Sequence, residues 1–258
     1  MAERYSRNRP FITETDQEKI RKTKILFGGV GLGSVIAETA LRLGFENFCL
    51  LDKDTVSLSN LNRQNYVDAD VDTDKVTSIK RRLEAINPNV NVEHYKVDLN
   101  SENVNDFVAK YAQEDSYYHV AVNALDYDNN APFIFDHACM KHNIPIIHPA
   151  NFSWSGATFI IQDQSIEDTI EGLDPTQGNK TFFEVLYFML ETIAKDYNTS
   201  TKWVTDVLDD LQKDSTKPIP QAAVGANLVS GLTVKLIFDI IMQRPVKTFP
   251  YIYYLSLK

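Results

Sequence analysis

The sequence predicts an α/β fold of Rossmann-like type, a mostly parallel central sheet with helices on both faces. Three observations carry that prediction. An apolar run enters a glycine-rich turn and a helix, and a second apolar run then ends on an acid, all between Lys24 and Asp52. Short apolar runs go on alternating with segments of helical period as far as residue 161. Finally, 258 residues with 43% hydrophobic side chains can enclose one large α/β core.

The first unit is the most informative. Ile25 to Phe27 reads as a strand, Gly28-Gly29-Val30-Gly31-Leu32-Gly33-Ser34 as a tight turn, and Val35 to Leu43 as a helix; Phe48 to Leu51 then leads into Asp52. Glycines at such a turn let backbone N–H groups approach phosphate at a helix N-terminus, and an acid ending the second strand can hold ribose hydroxyls. Phosphate approach falls to the backbone of Gly29, Gly31 and Gly33, and ribose binding to Asp52. The dinucleotide fingerprint is not complete, because Gly29-x-Gly31 is followed by Ser34 where that fingerprint has glycine.

The other elements follow in order. An amphipathic helix runs near Thr15 to Lys22, capped by Thr15 or Asp16. Val76, Ile79, Leu83 and Ile86 recur at helical spacing, and Asn87-Pro88 ends that helix. Asn91 to Val97 reads as a strand, Asn103 to Tyr111 as a helix, and Tyr118 to Ala124 as a buried strand that delivers Asp126 at its carboxyl end. Helix Pro132 to His142 and strand Ile144 to His148, closed by Pro149, form another repeat. The spacing of His137, His142 and His148 does not bring two imidazoles to one helical face, so surface or core histidines are expected. Gly156 to Ile161 is a further strand, followed by an acidic, turn-rich stretch to Lys180. Two amphipathic helices come next. Thr181 to Tyr197 carries Phe182, Leu186, Met189 and Ile193 on one stripe, and the second, begun at the cap Ser200, carries Trp203, Val204, Val207, Leu208 and Leu211. Lys217-Pro218-Ile219-Pro220 is a stiff connector, Ala222 to Met242 an apolar helix, and Tyr251 to Leu257 a closing strand.

Composition excludes some functions. A formal net charge of -9 argues against general nucleic-acid or anionic-membrane binding. The charge is uneven, since residues 1 to 24 hold seven Lys or Arg against four acids, and a basic arm of that kind could reach a polyphosphate. Cys49 and Cys139 form no CxxC pair and no disulfide framework, and the first residues are charged, not shaped as a signal peptide, so a cytoplasmic location is expected. Asn227, Lys235 and Asp239 interrupt the longest apolar stretch, which favours a buried helix over a membrane span.

The run Asp52-Lys53-Asp54-Thr55-Val56-Ser57-Leu58-Ser59-Asn60-Leu61-Asn62-Arg63-Gln64, with Lys75 beyond it, resembles the signature of the adenylation domain shared by MoeB, ThiF, HesA and the ubiquitin-activating E1 enzymes. The resemblance implies the E1 adenylation fold, in which antiparallel strands continue the parallel sheet beyond about residue 156. It also implies one adenylation domain over 1–258: an arm and helix (1–24), a nucleotide-binding part (25–161), a helical insertion and crossover segment (162–220), and a final helix and strand (221–258). The implied chemistry is attack of a substrate carboxylate on the α-phosphate of ATP, giving an acyl-adenylate and pyrophosphate. Arg63 and Lys75 would then meet the triphosphate, Asn60 and Gln64 would support it, and Asp126 would hold Mg2+. Arg4-Tyr5-Ser6-Arg7 is similar to the family's opening arm, in which the second arginine reaches the nucleotide of the other subunit, so the resemblance implies a homodimer with Arg7 acting in trans; an exposed charge in a mobile tail is the equal alternative. The implied partner is a ubiquitin-like or sulfur-carrier protein, or a peptide or tRNA-borne carboxylate.

Departures from the family pattern accompany this likeness. Leu125 and Tyr127 replace the residues flanking the family's aspartate, Ala131 stands where many relatives carry arginine, and Val30 replaces a glycine of the turn. Neither zinc-binding CxxC pairs nor a thioester cysteine is present, so no zinc is expected and transfer would proceed directly from the adenylate or to a sulfur donor. Two other readings stay open: a catalytically eroded nucleotide-binding scaffold, and an NAD-dependent oxidoreductase built on the same turn and Asp52, which leaves the SNLNRQ run unexplained.

Overall fold

The computed structural model describes residues 3–113, 117–127, 129–214 and 217–258. In chain order the elements are α1 (Glu14–Arg21), β1 (Thr23–Gly28), α2 (Leu32–Leu43), β2 (Asn47–Asp52), α3 (Lys75–Ile86), β3 (Asn91–Lys96), α4 (Val104–Ala112), β4 (Tyr118–Asn123), α5 (Ala131–Lys141), β5 (Ile146–Phe152), β6 (Ser155–Ile161), α6 (Ile166–Thr169), α7 (Asn179–Asp196), α8 (Lys202–Lys213), α9 (Ala223–Ile241) and β7 (Tyr253–Ser256). The strands form one sheet in the order β3-β2-β1-β4-β5-β6-β7. Pairings from β3 to β5 are parallel, and those of β6 with β5 and β7 are antiparallel. The expected mixed sheet is therefore present, and its strand order reverses between β1 and β4, where open α/β sheets bind ligands.

Strand alternation divides the core in two. Ile25, Phe27, Phe48, Leu50, Val120 and Val122 face a layer containing α2, α3 and α9. Leu26, Cys49, Leu51, Ala121, Phe159 and Ile161 face the opposite layer, with α4, α5, α7 and α8. A period of two in the strands and 3.6 in the helices produces both faces at once. Helix α9 is long and apolar enough to cross a membrane, yet here it packs on α2 and β6 with Ala226, Val229 and Ile237 fully buried.

Several boundaries differ from the sequence expectation: α2 begins at Leu32, inside the expected turn, and β7 is shorter at both ends. Thr13, not Thr15 or Asp16, caps α1: its side chain accepts from the Asp16 N–H while the Asp16 carboxylate accepts from the Thr13 N–H. Thr201, not Ser200, precedes α8. Strand β5 does not stop at Pro149 but runs through it to Phe152. Its ladder to β4 covers only Ile146 and Ile147, so past that point no β4 carbonyl needs the N–H that proline lacks.

Candidate active site

The first wall of the site is the turn leaving β1. Gly29 adopts φ +85°, and a Cβ there would lie 2.4 Å from the Ala124 carbonyl oxygen, so glycine is required on both counts. The turn is tied to its surroundings by its backbone: the Gly29 N–H donates to the Leu51 carbonyl (2.8 Å), the Val30 N–H to Asp52 Oδ2 (2.7 Å), and the Tyr66 hydroxyl to the Val30 carbonyl (2.7 Å). The Val30 side chain points into the core and is fully buried, so it does not narrow the approach to the turn. Gly33 differs from its assigned part. It lies in the first turn of α2, packed so that a Cβ would meet the Phe27 ring at 3.2 Å, and it does not line the cleft; its smallness serves helix-to-strand packing.

A cleft of about 580 Å³ opens at the carboxyl ends of β1, β2 and β4, within the range of nucleotide-sized ligand sites. Gly29, Gly31, Asp52, Asn60, Arg63, Gln64, Lys75 and Asp126 all line it. The structure thus brings together eight of the ten residues singled out in the sequence, drawn from three connections, β1 to α2, β2 to α3 and β4 to α5. Asp52 accepts from the N–H groups of Val30 and Asp54, and burial pushes its carboxyl up against the opposing pull of Lys75 and those two bonds. Lys75 is buried to 7% exposure and pairs with Asp54 at 2.7 Å. Burial lowers the Arg63 guanidinium while the Asp126 carboxylate raises it, which puts those two charges within electrostatic reach of one another. Asn60 Oδ1 accepts from the Ser57 N–H and shapes the motif turn, and Gln64 keeps a buried Oε1 with no partner beside Gly31.

Arg7 is the exception. Tyr5 anchors the arm by donating to Glu46 Oε1, and Arg4 donates to the Ile86 carbonyl, so the arm sits at the amino edge of the sheet, opposite the cleft. Arg7 is exposed and lines no part of its own chain's cleft; a contact with the nucleotide would have to be made in another copy.

Sequence reasoning missed two groups. Gln221 accepts from Arg63 Nε at 2.6 Å, and its carbonyl accepts from Asn62 at 3.0 Å, fastening the connector over the motif loop. Nothing in either segment signals a pair 158 positions apart. The second group is a buried chain. Asn123 donates to Asp136 (2.8 Å), His148 Nε2 meets Asp136 (2.9 Å), and the Tyr127 hydroxyl meets His148 Nδ1 (3.1 Å). Burial, with Asp136 and Glu167, pushes the Tyr127 phenol well above its ordinary value. His148 is thus a core histidine, as expected, while His137 is exposed and pairs with Glu167.

Among the described residues no cluster of three or more His, Cys, Asp or Glu could hold a metal by itself. Asp126 is exposed at the cleft. One carboxylate, completed by phosphate oxygens and waters, is a usual magnesium set at a nucleotide site, so Asp126 fits that ion.

The doubly wound sheet, the clamped glycine turn and the cleft at the switch point, lined by charges of both signs, define a domain of the E1-like fold. Residues 5–253 match the ThiF family, and the chain belongs to it. It is 34% identical over 162 residues to the molybdopterin-synthase adenylyltransferase of Haemophilus influenzae, covering 62% of this chain and 60% of that one. Identity to the sulfur carrier protein ThiS adenylyltransferase of Bacillus subtilis is 30% over 167 residues, covering 62% and 47%. The chain therefore spans about half to three-fifths of the length of these curated relatives. Among solved structures, selenomethionine PaaA matches all of this chain and 80% of its own, with a TM-score of 0.67 at 21% identity. Escherichia coli MccB in complex with AMPCPP and MccA matches 98% of this chain and 71% of its own, with a TM-score of 0.65 at 17% identity. At these identities the solved structures share the fold.

Proposed function

We propose that the protein is an ATP-dependent adenylyltransferase that activates a carboxylate, with the C-terminal glycine of a ubiquitin-like or sulfur-carrier protein as the substrate. The observation that carries this reading is the convergence of Asp52, Arg63, Gln64, Lys75 and Asp126 on one cleft beside the glycine turn. The relatives activating sulfur-carrier proteins support the partner class. A peptide carboxylate, which the family resemblance also implies, is the second reading.

In this reaction a carboxylate oxygen bonds to the α-phosphorus, the bond from that phosphorus to the bridging oxygen breaks, and pyrophosphate leaves with the electron pair. No protein nucleophile is required, so catalysis rests on positioning and charge. Arg63 and Lys75 offset the triphosphate charge, Lys75 leaving Asp54 to do so. Asp52 holds the ribose and, through Val30, the shape of the turn. Magnesium held by Asp126 would neutralise part of the phosphate charge. Homodimeric assembly with Arg7 acting in trans, and a cytoplasmic location, belong to the same proposal. Mixing Arg7→Ala and Asp126→Ala subunits should restore some activity, and failure in demonstrated heterodimers would remove the role in trans.

Calorimetric titration with ATP in magnesium, and separately with NAD, is the deciding experiment. ATP binding without NAD binding, followed by carboxylate-dependent exchange of pyrophosphate into ATP, is the expected result. Binding of NAD alone would overturn the proposal in favour of an oxidoreductase, and binding of neither would point to an eroded scaffold or to a site completed only by its partner.

A further inference from the structure

Asp126 is exposed at the cleft, yet both residues beside it are tied to one buried polar chain. The chain starts at the end of β4, where Asn123 Nδ2 donates to the Pro132 carbonyl and to Asp136 of α5, each at 2.8 Å. Asp136 in turn accepts from His148 Nε2 in β5 at 2.9 Å. A carboxylate offers no proton, so Nε2 carries one, and Nδ1 is left to accept from the Tyr127 hydroxyl at 3.1 Å. The phenol, pushed up by burial, keeps the proton it donates. Asn123, Asp136 and His148 are each 4% exposed or less, and His148 stacks on Phe159 with ring centroids 4.6 Å apart. Three elements of the fold thus fix one acceptor for one hydroxyl.

The other flank of Asp126 is held from the same starting point. The Leu125 N–H donates to Asn123 Oδ1 at 3.3 Å, and the side chains of Leu125 and Tyr127 pack into the layer of α4, α5, α7 and α8. The Tyr127 ring meets Phe133 edge-on at 5.5 Å and Phe182 at 6.4 Å. Apolar packing sets the depth of a ring but not its direction, whereas a hydroxyl bonded to a buried imidazole sets both. Asp126 lies between these two anchors, within electrostatic reach of Arg63. Leu125 and Tyr127 are also the residues at which this loop departs from the family pattern, so the departures and the anchors coincide.

We propose that Asn123, Asp136, His148 and Tyr127 form a positioning chain that holds the Asp126 carboxylate at the magnesium of the bound nucleotide. The inference rests on the adenylation reading, which gives the metal to Asp126, and extends it to residues that act through Asp126. Groups that orient a metal ligand from behind carry a substantial share of the affinity for the ion, because the ligand otherwise spends its binding energy on being ordered. Leu125 and Tyr127 are then replacement anchors for the metal loop, not signs of its decay.

Tyr127→Phe tests the chain with the smallest change, since the ring and its packing stay and only the hydroxyl goes. A non-hydrolysable ATP analogue is titrated calorimetrically into the parent, Tyr127→Phe, Asp126→Ala and the double variant, once with magnesium and once with EDTA. The ratio of the two affinities is the gain from the metal. Tyr127→Phe should lower that gain about tenfold, the lower end for groups that orient a metal ligand, with the affinity in EDTA within about twofold of the parent and the thermal melt intact. In the Asp126→Ala background the same substitution should change the gain by less than about twofold, because the residue through which it acts is gone. A parent with no gain from magnesium, an unchanged gain in Tyr127→Phe, or a further loss of similar size on top of Asp126→Ala would each overturn the positioning chain. Exchange of pyrophosphate by the parent is scored separately. Exchange present beside an unchanged gain would leave the adenylation reading standing without the chain, and exchange absent beside a gain that Tyr127→Phe removes would do the reverse.

Discussion

The two halves of the cleft are held by opposite means. Around the nucleotide positions the structure depends on directed polar links: Asp52 to the Val30 N–H, Tyr66 to the Val30 carbonyl, Lys75 to Asp54, and Glu38 to Arg42, Arg82 and Asn65. Around α7 and α8, which close its far side, it depends on apolar packing, with Val185, Leu190, Ile193, Val204, Leu208 and Leu211 buried and the ion pairs of α7 and α8 confined to the surface. Directed links demand particular residues at particular spacings. Packing demands only volume and apolarity. The first half should therefore fail in function when one polar residue is lost, and the second in stability when one apolar residue is lost.

The largest effect expected on that basis is from Arg63→Ala. On the proposed reading Arg63 meets the triphosphate, so its loss should weaken ATP binding about a hundredfold, the scale for truncating one member of a desolvated charge pair, while the melting temperature changes little. Calorimetry beside a thermal melt checks both parts. An ATP affinity within threefold of the parent would mean that Arg63 serves only to hold Gln221 and the connector.

The same contrast explains what could be read in the sequence. Residues 25 to 75 carry seven of the eight predicted residues that line the cleft, because turn, acid and motif loop adjoin in sequence and local spacing fixes the placement of Gly29, Asp52, Arg63 and Lys75. Asp126 was reachable because a strand pattern put it at a carboxyl end. Gln221 was not, since its partner lies 158 positions away in sequence and a lone glutamine after a proline-rich connector has no signature. Asp136, His148 and Tyr127 come from α5, β5 and the loop after β4, and nothing in their spacing announces that the sheet stacks them. The amphipathic stripes of α7 and α8 were legible as helices, but periodicity does not say which layer of the core they close. At Gly33 the structure shows a packing role against Phe27, and a glycine needed for packing and one needed for phosphate look alike in a turn.

A smaller effect on ATP binding, and a sharper test of the division, is expected from Ile193→Ala. This side chain is fully buried in α7 and does not line the cleft. Its truncation should cost about 2 to 4 kcal/mol in denaturant unfolding, the usual price of a buried aliphatic cavity. ATP affinity should stay within about twofold of the parent, because the polar clamps around Val30 and Lys75 are untouched. An affinity that fell in step with stability would show that α7 braces the nucleotide half, and the comparison would break.

The smallest expected effect separates the halves by pH. The Glu38 side chain is 9% exposed and lies between Arg42 and Arg82. Burial alone would raise its carboxyl, but the bonds and charges of Arg82 and Arg42 outweigh burial and hold it below the ordinary glutamate range. A carboxyl depressed in the folded state adds stability that is fully present above the unfolded value, about pH 4.3, and that disappears as pH falls through the folded value. Glu38→Gln should therefore be less stable than the parent at pH 7 by about 1 kcal/mol, the scale of a partly exposed charge pair, and the gap should close as the pH is lowered from 5 toward 3. Ile193→Ala should keep its own deficit across the same range, since no charge is involved. Thermal melts of the three proteins between pH 7 and pH 3 check this. A Glu38→Gln deficit that persisted unchanged in acid would mean that the carboxylate acts there through hydrogen-bond geometry alone, and that the nucleotide half is less dependent on charge than its links imply.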